Sequence, residues 1–349
     1  MGFKVTITNV GQTIEVDDGD LILDAAILAG IDFPSSCQSG NCGTCKVELI
    51  AGEVDLEPYS EFALEDDERA DGYILACRAL PRSDCEIAWE DPDEVAAHQR
   101  RYLTCRVAEI TKLTDDTCRL LLKVEKGGQL IFSAGQYMSL TFADLPPRDF
   151  SMANGPYVEP LEFHVRHIDG GVVSRYVIEA LKVGDVVQAE GPFGVSHLRI
   201  QHRGPIIVIA GSTGLAPAIS IIESAIDYEM TQPIRLYYGA RTENDFYDVA
   251  RLEELARDHE NVTVDLVLSS PNANGTPVDG RRFGMVTDAV AEDYVGPQAL
   301  DGAKAYVAGP PAMVEAAVRL VQQRGVRRRD CHADAFYTEA EKAAVDKAG

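Results

Sequence analysis

Four cysteines have a spacing that constrains the fold more than any other feature of this sequence. Cys37, Cys42 and Cys45 lie within nine residues, and Cys77 follows 32 residues after the third. Three thiols on one tight loop and a fourth from a separate segment can surround a single metal centre, whereas a disulfide scaffold needs a higher cysteine density. The N-terminal part of the chain is therefore expected to wrap a loop around such a centre.

The C-x4-C-x2-C…C spacing of these thiols is that of a plant-type 2Fe–2S cluster. Gly40 and Gly43 lie between them, where the backbone must approach the inorganic sulfide and can take a positive φ. A four-cysteine zinc site is the alternative, but such sites usually pair two C-x-x-C hairpins, and only one is present. The other cysteines lack this spacing and are predicted to be buried apolar residues: Cys85, Cys105, Cys118 and Cys331.

Acidic residues dominate the charge of the chain. Its 349 residues include 56 Asp and Glu against 32 Lys and Arg, which gives a formal net charge of −24. Such a chain repels phosphate backbones and anionic lipid surfaces, so nucleic acid and membrane surfaces are excluded as partners. Residues 1–98 carry 22 of the acidic residues and only 5 of the basic ones. This asymmetry indicates a separate acidic N-terminal domain.

Composition and length indicate a folded protein of several domains. Hydrophobic residues make up 46% and charged residues 25% of the chain, as in ordinary globular proteins. The chain is longer than a single core usually supports, which predicts two or three domains. No N-terminal signal and no apolar run of roughly 20 residues is present. We expect a cytoplasmic protein without a membrane contact, and a monomer on its own.

The first two hundred residues contain mainly strand patterns. Strands are predicted at 5–7, 14–16, 46–50, 75–77 and 85–89 and a helix at 21–29, and the charged segment 90–101 is predicted to be a linker. Short β-type runs follow at 118–124, 137–142, 161–166 and 186–188, with a helix at 173–181. The second group predicts a small antiparallel barrel.

From residue 205 onward, apolar strands alternate with amphipathic helices. The strands are predicted at 205–210, 234–238, 262–268 and 304–308, and the helices near 216–229, 246–258, 285–293 and 311–324. Such βαβα alternation predicts a doubly wound parallel sheet. The segment after residue 338 is expected to be a frayed tail.

Two groups of motifs resemble a known family. The cysteine loop, the Gly52-Glu-Val-Asp segment and Tyr73-Ile-Leu-Ala-Cys77 resemble the ferredoxin domain of bacterial oxygenase reductases. Arg148-Asp-Phe-Ser-Met-Ala-Asn154 is similar to the R-x-[YF]-S-x-x-[SN] signature of the ferredoxin-NADP reductase superfamily. The resemblance implies an FAD domain and an NAD domain after the ferredoxin domain.

The resemblance implies flavin-binding roles for residues of the barrel. Arg148 would pair with the FAD pyrophosphate, Phe150 would stack on the isoalloxazine, and Ser151 would hydrogen-bond near the flavin N5. The turn that opens the barrel helix could hold a phosphate with its N–H groups. The residues implied in FAD binding are Arg148, Phe150, Ser151, Asn154, His164, Val165, Arg166, Gly171 and Ser174.

Three further segments resemble the nucleotide-binding elements of the family. Gly211-Ser-Thr-Gly-Leu-Ala-Pro217 follows an apolar strand and is similar to its G-[GS]-T-G-x-A-P loop, in which glycines let the backbone approach a pyrophosphate. Gly239-Ala-Arg241 matches the G-x-R element, and Ala308-Gly-Pro-Pro-Ala-Met313 matches a C-G-P-x-x-M segment with Ala308 in place of the cysteine. The residues implied in NAD binding are Gly211, Thr213, Gly214, Pro217, Arg241, Gly309, Pro310 and Met313.

The resemblance favours NADH over NADPH. Relatives that use NADP place a basic residue after the serine at the end of the third strand, where this chain has Ser269 and Ser270. Arg281 and Arg282 are close enough in sequence to leave the preference open. Asp334-Ala-Phe336 resembles a terminal element whose aromatic ring covers the flavin, so Ser151 and Phe336 are the expected catalytic residues. Ordinary core packing is the alternative for Phe336.

The resemblance covers nearly the whole chain and implies a multidomain protein. Its parts would be a β-grasp α+β ferredoxin domain at 1–95, an antiparallel β-barrel FAD domain at 100–202, an α/β doubly wound NAD domain at 203–338 and a tail at 339–349. Electrons would pass from NADH to FAD, to the 2Fe–2S cluster and to the hydroxylase component of a soluble diiron monooxygenase of the alkane, alkene or phenol type.

Two alternatives to this function stay open. One is the reductase component of a Rieske-type aromatic-ring dioxygenase, which has the same domain order. The other is a non-catalytic four-cysteine zinc module on a nucleotide-binding protein. The chain is not itself the diiron oxygenase, because no histidine has a glutamate three residues before it.

Overall fold

Two units make up the part of the chain that the computed structural model describes. That part consists of residues 2–31, 33–35, 38–41, 43–61, 63–89, 98–270, 280–338 and 341. The first unit contains the described residues up to 89 together with 337, 338 and 341, and the second runs from His98 to Phe336. None of the described helices is long and apolar enough to cross a membrane.

The first unit is a mixed sheet with a helix packed on it. In β1 (Phe3–Ile7) and β2 (Gln12–Val16) alternate side chains are buried, as expected of a sheet with one face on the core. Helix α1 (Ile22–Leu28) buries its apolar side chains in the same core. The remaining elements are β3 (Lys46–Ala51), β4 (Val54–Leu56), α2 (Asp66–Ala70), β5 (Tyr73–Leu75), β6 (Ala79–Pro81) and β7 (Cys85–Ala88).

The strand order of this unit confirms the predicted β-grasp fold. The order is β2-β1-β7-β3-β5, with β1 and β7 parallel and the other pairs antiparallel, and β4 and β6 form a separate ribbon. The strand predicted at 75–77 is wrong by two residues: β5 ends at Leu75, and Cys77 lies in the turn that follows. Helix α2 was not predicted, because its five residues are too few to show a helical period.

The second unit begins with a nearly closed antiparallel sheet. Its strands are β8 (Arg101–Lys112), β9 (Thr117–Lys126), β10 (Tyr137–Phe142), β11 (Arg148–Ser151), β12 (Leu161–Arg166) and β13 (Val186–Phe193), and helix α3 (Val172–Glu179) lies between the last two. The strand order is β11-β10-β13-β8-β9-β12, and a bridge between Met152 and Phe163 brings the two edge strands together. This near-barrel confirms the predicted architecture.

One strand of the near-barrel corrects the sequence analysis. The predicted linker at 90–101 ends one residue too late, because Arg101 begins β8; residues 90–97 lie outside the described residues. Buried positions recur along β8 at every second residue only as far as Val107, and the residues from Ala108 to Lys112 are exposed or half-buried. The period-2 signal was therefore too short to identify this twelve-residue strand.

The rest of the second unit is a parallel sheet with helices. Its elements are β14 (Ile206–Gly211), α4 (Leu215–Asp227), β15 (Ile234–Ala240), α5 (Val249–Asp258), β16 (Val262–Leu268), β17 (Arg282–Phe283), α6 (Val286–Asp293), β18 (Lys304–Gly309), α7 (Pro311–Gln323) and β19 (Cys331–Ala335). The order is β17-β16-β15-β14-β18-β19, and every pair is parallel. This confirms the doubly wound fold.

The order of these strands locates a crevice. Every residue of β14 and β18 is buried, so both appear in the sequence as apolar runs, interrupted only by Lys304 at the start of β18. The chain runs outward from β14 on one side and returns to β18 on the other, which makes the carboxyl ends of these two strands the topological switch point where such sheets bind ligands. Strand β19 was not predicted, because its sequence, Cys-His-Ala-Asp-Ala, has no apolar run.

Candidate functional site

The structure brings two of the four predicted cluster ligands together. Strands β3 and β5 pair with Lys46 opposite Leu75, so Cys45 immediately before β3 lies beside the residues that follow β5. The N–H of Ala76 donates to the carbonyl of Cys45 at 3.0 Å, and the side chains of Cys45 and Cys77 are both buried. Buried thiols on adjacent segments are the donors that an iron–sulfur cluster requires. The other two predicted ligands, Cys37 and Cys42, lie outside the described residues.

The loop around these thiols depends on its glycines. Gly40 and Gly43 have φ values of +71° and +74°, in the region that favours glycine. A Cβ atom at Gly43 would lie 2.9 Å from the carbonyl oxygen of Ala63, and one at Gly40 would lie 2.8 Å from Nε of Arg78. The loop therefore packs closely against neighbouring atoms, which leave little room for a side chain at either position. This packing is a second reason for glycine there, in addition to the predicted approach of the backbone to the inorganic sulfide.

Three segments of the second unit meet at the carboxyl end of β18. Strand β19 lies beside β18 with Asp334 opposite Ala308, and the N–H of Phe336 donates to the carbonyl of Gly309 at 2.9 Å. From the near-barrel, the hydroxyl of Ser151 donates to Oδ2 of Asp334 at 3.4 Å. The two predicted catalytic residues therefore lie on adjacent segments at the switch point.

The carboxyl group of Asp334 has an unusual protonation behaviour. Burial raises its pKa, the hydrogen bond from Ser151 opposes this, and the charge of Asp149 adds to it, so that the pKa is about 7. A carboxyl group with a pKa near neutrality can either accept or donate a hydrogen bond at physiological pH. The sequence motif predicted a catalytic role for Phe336 but no role for the carboxyl group of Asp334.

The predicted flavin residues on β11 have different surroundings. Arg148 is half-buried, and its Nη1 donates to the carbonyl of Pro147 at 2.7 Å. Phe150, on the same face of the strand, packs edge-on against the buried ring of Phe142 at 6.1 Å. These two positions leave a cationic and an aromatic side chain at the edge of the near-barrel, as the chemistry of a flavin nucleotide requires.

Asn154 has a structural role that its motif did not reveal. Its amide nitrogen donates to the carbonyls of Val158 at 2.7 Å and Gly155 at 3.2 Å, and its Oδ1 accepts from the N–H of Glu162 at 2.8 Å. These bonds fix the loop that joins β11 to β12. Its predicted contact with FAD stays a prediction.

His164 and Arg166, on either side of Val165 in β12, contact residues of the parallel sheet. The ring of His164 is buried, with Nδ1 3.1 Å from the hydroxyl of Tyr247 and Nε2 3.0 Å from Oε1 of Glu162. The side chain of Val165 is buried in the barrel core. Nη1 of Arg166 donates to Oγ of Ser212 at 3.0 Å. Arg166 thus contacts the nucleotide loop of the parallel sheet directly, whereas His164 contacts Tyr247, whose hydroxyl donates to the carbonyl of Ser212 in that loop at 3.3 Å. Their predicted role at the flavin stays a prediction.

The predicted phosphate turn before α3 is held in place by Ser174. Gly171 is the N-cap of this helix, and no side chain in the described residues caps it. The hydroxyl of Ser174 accepts from the N–H of Ile168 at 3.0 Å and donates to the carbonyl of Gly171 at 3.3 Å. These bonds fix the turn that enters the helix, and the phosphate-binding role of both residues stays a prediction.

The nucleotide loop owes its shape to close packing between β14 and β18. A Cβ atom at Gly214 would lie 2.1 Å from the carbonyl oxygen of Ala308, and one at Gly211 would lie 2.5 Å from Sδ of Met313. Gly309, with φ +141°, would clash with the carbonyl of Gly211 at 2.6 Å in the same way. These glycines are needed for contacts inside the protein as well as for the approach of a ligand.

The rest of this loop continues into helix α4. Ser212 has a positive φ of +55° and begins a 3₁₀ turn that includes Thr213. Pro217 is buried in the first turn of α4, and Pro310 precedes α7 as its N-cap. Arg241 follows β15 at the same edge of the sheet, where its carbonyl accepts from the N–H of Ser270 at 2.9 Å. All eight predicted nucleotide residues therefore lie at the carboxyl edge of the sheet.

A partly buried ion-pair network, which no sequence motif indicated, joins the near-barrel to the parallel sheet. Glu162 of β12 bonds Arg119 of β9 at 3.0 Å and Arg251 of α5 at 3.1 Å, and Arg119 also bonds Asp248. Ligand atoms of Glu162, His164 and Asp248 lie within 4.8 Å of one another, a spacing that a metal ion could use. The two guanidinium groups neutralise both carboxylates, so the arrangement is an ion-pair network that joins the near-barrel to the parallel sheet.

Comparison with known proteins agrees with this geometry. Residues 5–82 match the 2Fe-2S iron-sulfur cluster binding domain, residues 104–197 the oxidoreductase FAD-binding domain, and residues 208–319 the oxidoreductase NAD-binding domain. The reductase component of the naphthalene 1,2-dioxygenase/salicylate 5-hydroxylase systems of Ralstonia sp. is 39% identical over 96% of this chain and 98% of that protein. The chain belongs to the family of reductase components of oxygenase systems.

Two further relatives extend the range of partners within this reductase family. The reductase component of phenol 2-monooxygenase from Pseudomonas sp. strain CF600 is 36% identical over 98% of this chain and 97% of that protein. The crystal structure of the cytochrome P450 reductase of Amycolatopsis superposes with a TM-score of 0.75 at 35% identity, and covers 96% of this chain and 98% of that one.

Several expectations from the sequence are thereby confirmed. The chain is an oxidoreductase with 2Fe–2S, FAD-binding and NAD-binding domains, and it has the reductase fold that its motifs implied. The domain boundaries, the roles of individual site residues, the monomeric state and the cytoplasmic location stay predictions.

Proposed function

We propose that this reductase oxidises NADH and delivers the electrons singly, through FAD and a 2Fe–2S cluster, to the oxygenase component of a multicomponent system. The observation that supports the proposal most directly is the meeting of Ser151, Phe336 and Gly309 at the switch point of the parallel sheet. FAD, when bound, accepts a hydride as a two-electron unit and can release its electrons one at a time to a one-electron carrier.

In this proposal the residues around the switch point position the two nucleotides. Arg148 and Phe150 would hold the flavin at the edge of the near-barrel. Ser151, whose hydroxyl is oriented by Asp334, would form a hydrogen bond with the flavin ring. The ring of Phe336 would cover the flavin. Gly309 and Met313 keep the end of β18 close to the nucleotide loop, where the nicotinamide nucleotide would bind.

The cluster in this proposal is held by Cys37, Cys42, Cys45 and Cys77. The buried positions of Cys45 and Cys77 beside a glycine-dependent loop support it. Cysteines ligate iron as thiolates, and hydrogen bonds from surrounding N–H groups would tune the reduction potential of the bound cluster.

The partner we propose is the hydroxylase of a soluble diiron monooxygenase. The likeness to the phenol 2-monooxygenase reductase component over 98% of the chain supports it. A Rieske-type dioxygenase is the second candidate, because the reductase component of the naphthalene 1,2-dioxygenase systems shares 39% of its residues with this chain. Coupled NADH consumption with each purified oxygenase would discriminate between them: the true partner supports product formation in proportion to NADH, and the other does not.

A pair of cysteine variants tests the electron route. Cys77→Ser is expected to retain FAD and the reduction of ferricyanide by NADH but to lose the reduction of cytochrome c, because only the cluster is removed. Cys85→Ser is the matched control, since Cys85 is a buried cysteine of the same unit outside the proposed ligand set. Loss of cytochrome c reduction in both variants, or in neither, would refute the route.

A further inference from the structure

The carboxyl end of β15 places an acidic residue at the nucleotide edge of the sheet. Strand β15 is the neighbour of β14, and their registers align Gly239 with Gly211 of the nucleotide loop. Glu243 follows β15 by three residues, in a short 3₁₀ turn. In doubly wound nucleotide-binding sheets, an acidic residue beyond the second strand accepts from the ribose 2′-hydroxyl, whereas an arginine nearby accommodates a 2′-phosphate.

Glu243 is also the partner of an arginine at the same edge. Nη2 of Arg281 lies 2.9 Å from Oε1 of Glu243, and its Nε lies 3.2 and 3.3 Å from the two carboxylate oxygens. The side chain of Arg281 is only 14% exposed, while that of Glu243 is 39% exposed. The guanidinium also lies 5.7 Å from the centre of the Phe246 ring, in a cation–π contact. The guanidinium of Arg281 is thus held by Glu243 and lies over the ring of Phe246, whereas the carboxylate of Glu243 is exposed to solvent.

The next arginine in the sequence is bound elsewhere. Arg282 donates to Glu292 at 2.7 Å and also pairs with Asp265 and Asp293. Three carboxylates therefore occupy its guanidinium, and none of them belongs to the nucleotide edge. Of the two arginines that the sequence left as candidates for a 2′-phosphate, only Arg281 lies beside Glu243.

We propose that Glu243 sets the preference of this reductase for NADH over NADPH by acting on both nucleotides. Its outer carboxylate oxygen accepts a hydrogen bond from the ribose 2′-hydroxyl of NADH. The same carboxylate holds Arg281 and presents a negative charge to the 2′-phosphate of NADPH. The inference deepens the proposed function, since it assumes that a nicotinamide nucleotide binds at this edge of the sheet.

The isosteric variant Glu243→Gln tests the idea. It keeps the shape, removes the repulsive charge and makes the guanidinium of Arg281 available to a phosphate. Because a hydrogen bond to a charged group contributes roughly a tenfold to hundredfold factor in affinity, we expect the ratio of kcat/KM for NADPH to that for NADH to rise about tenfold or more. In Glu243→Gln combined with Arg281→Ala, that gain should disappear.

Glu292→Gln is the matched control, because it makes the same change of charge at the partner of Arg282. Binding of 2′,5′-ADP and of 5′-AMP, measured by isothermal titration calorimetry on the holoprotein, gives a readout that does not depend on turnover. Glu243→Gln should tighten 2′,5′-ADP relative to 5′-AMP by the same factor, and Glu292→Gln should leave both affinities as they are.

The outcomes separate this inference from the proposed function. An unchanged preference for 5′-AMP in Glu243→Gln, or an equal change in Glu292→Gln, would overturn the role of Glu243. If the wild type reduced ferricyanide with neither NADH nor NADPH, the proposed function would fail, and the calorimetry would still decide whether Glu243 discriminates the 2′-phosphate.

Discussion

Replacing Glu162 with Gln should weaken the junction between the near-barrel and the parallel sheet. Burial opposes ionisation of this carboxyl group, but the hydrogen bond from His164 and the charges of Arg251 and Arg119 outweigh it, so the pKa falls from its ordinary 4.5 to about 2. Each pKa unit corresponds to about 1.4 kcal/mol, so the ionised group stabilises the fold by about 3 kcal/mol. The side chain is only 12% exposed, and solvent screening reduces this value little.

The pH dependence of this effect has a definite sign. Because the pKa in the folded state is lowered, the stabilisation is fully present above about pH 5 and is lost as the pH falls towards 2. Glu162→Gln should therefore lower the melting temperature of the second unit at pH 7 by about 6–12 °C, since a unit of this size shifts by about 2–4 °C per kcal/mol. At lower pH, the difference from the wild type should shrink.

Thermal unfolding of the holoprotein, followed by circular dichroism, measures this shift. Trp89 is the only tryptophan and lies in the first unit, so its fluorescence reports whether that unit is unaffected. Glu125→Gln is the matched control, because Glu125 forms a two-bond ion pair with Arg106 on the exposed face of the same barrel; we expect no resolvable shift there. Equal shifts in both variants, or a shift for Glu162→Gln that does not depend on pH, would refute the reasoning.

Three further predictions concern polar groups of the second unit. Asp334→Asn should raise the free energy of unfolding at pH 8.5 by up to about 4 kcal/mol, because the pKa of about 7 penalises the ionised carboxylate in the fold, and urea titrations should show the gain shrinking towards pH 4. Asp330→Asn should cost about 3–5 kcal/mol, since Lys304 and Asp330 pair at 2.7 Å with exposures of 5% and 6%; adding Lys304→Met should restore part of it in the same assay. Tyr247→Phe removes the hydroxyl that donates to the carbonyl of Ser212, so the KM for NADH should rise about fivefold while kcat changes less in steady-state assays.

Much of the fold was predictable because each domain has a strong local signal. The cysteine spacing, the apolar strands of the parallel sheet and the glycine loop between β14 and α4 all depend on residues close together in sequence. Strands β8 and β19 are among those that were missed, because the buried positions of β8 stop alternating after Val107 and the five residues of β19 include a histidine and an aspartate. Their positions are fixed by pairing with distant strands, a tertiary effect that periodicity does not report.

Part of the candidate site was also predictable from residues that are close together in sequence. Motifs placed Gly211, Gly309 and Phe336 at one edge of the sheet. They did not show that Arg166 contacts Ser212 of the nucleotide loop or that His164 contacts Tyr247, because those contacts join residues 46 and 83 positions apart. Ion pairs such as Glu162 with Arg251 cannot be predicted from a sequence pattern, because a charged residue on a strand is ordinarily predicted to face the solvent.

In the proposed route, one chain carries electrons from NADH to a flavin and then to an iron–sulfur cluster. Anaerobic addition of NADH to the purified holoprotein, followed by visible absorption, shows whether both centres are reduced. We expect the flavin and cluster bands both to bleach in the wild type, and in Cys77→Ser we expect only the flavin band to be present and to bleach. A colourless protein with stoichiometric zinc, or cluster bands that persist after the flavin is reduced, would contradict it.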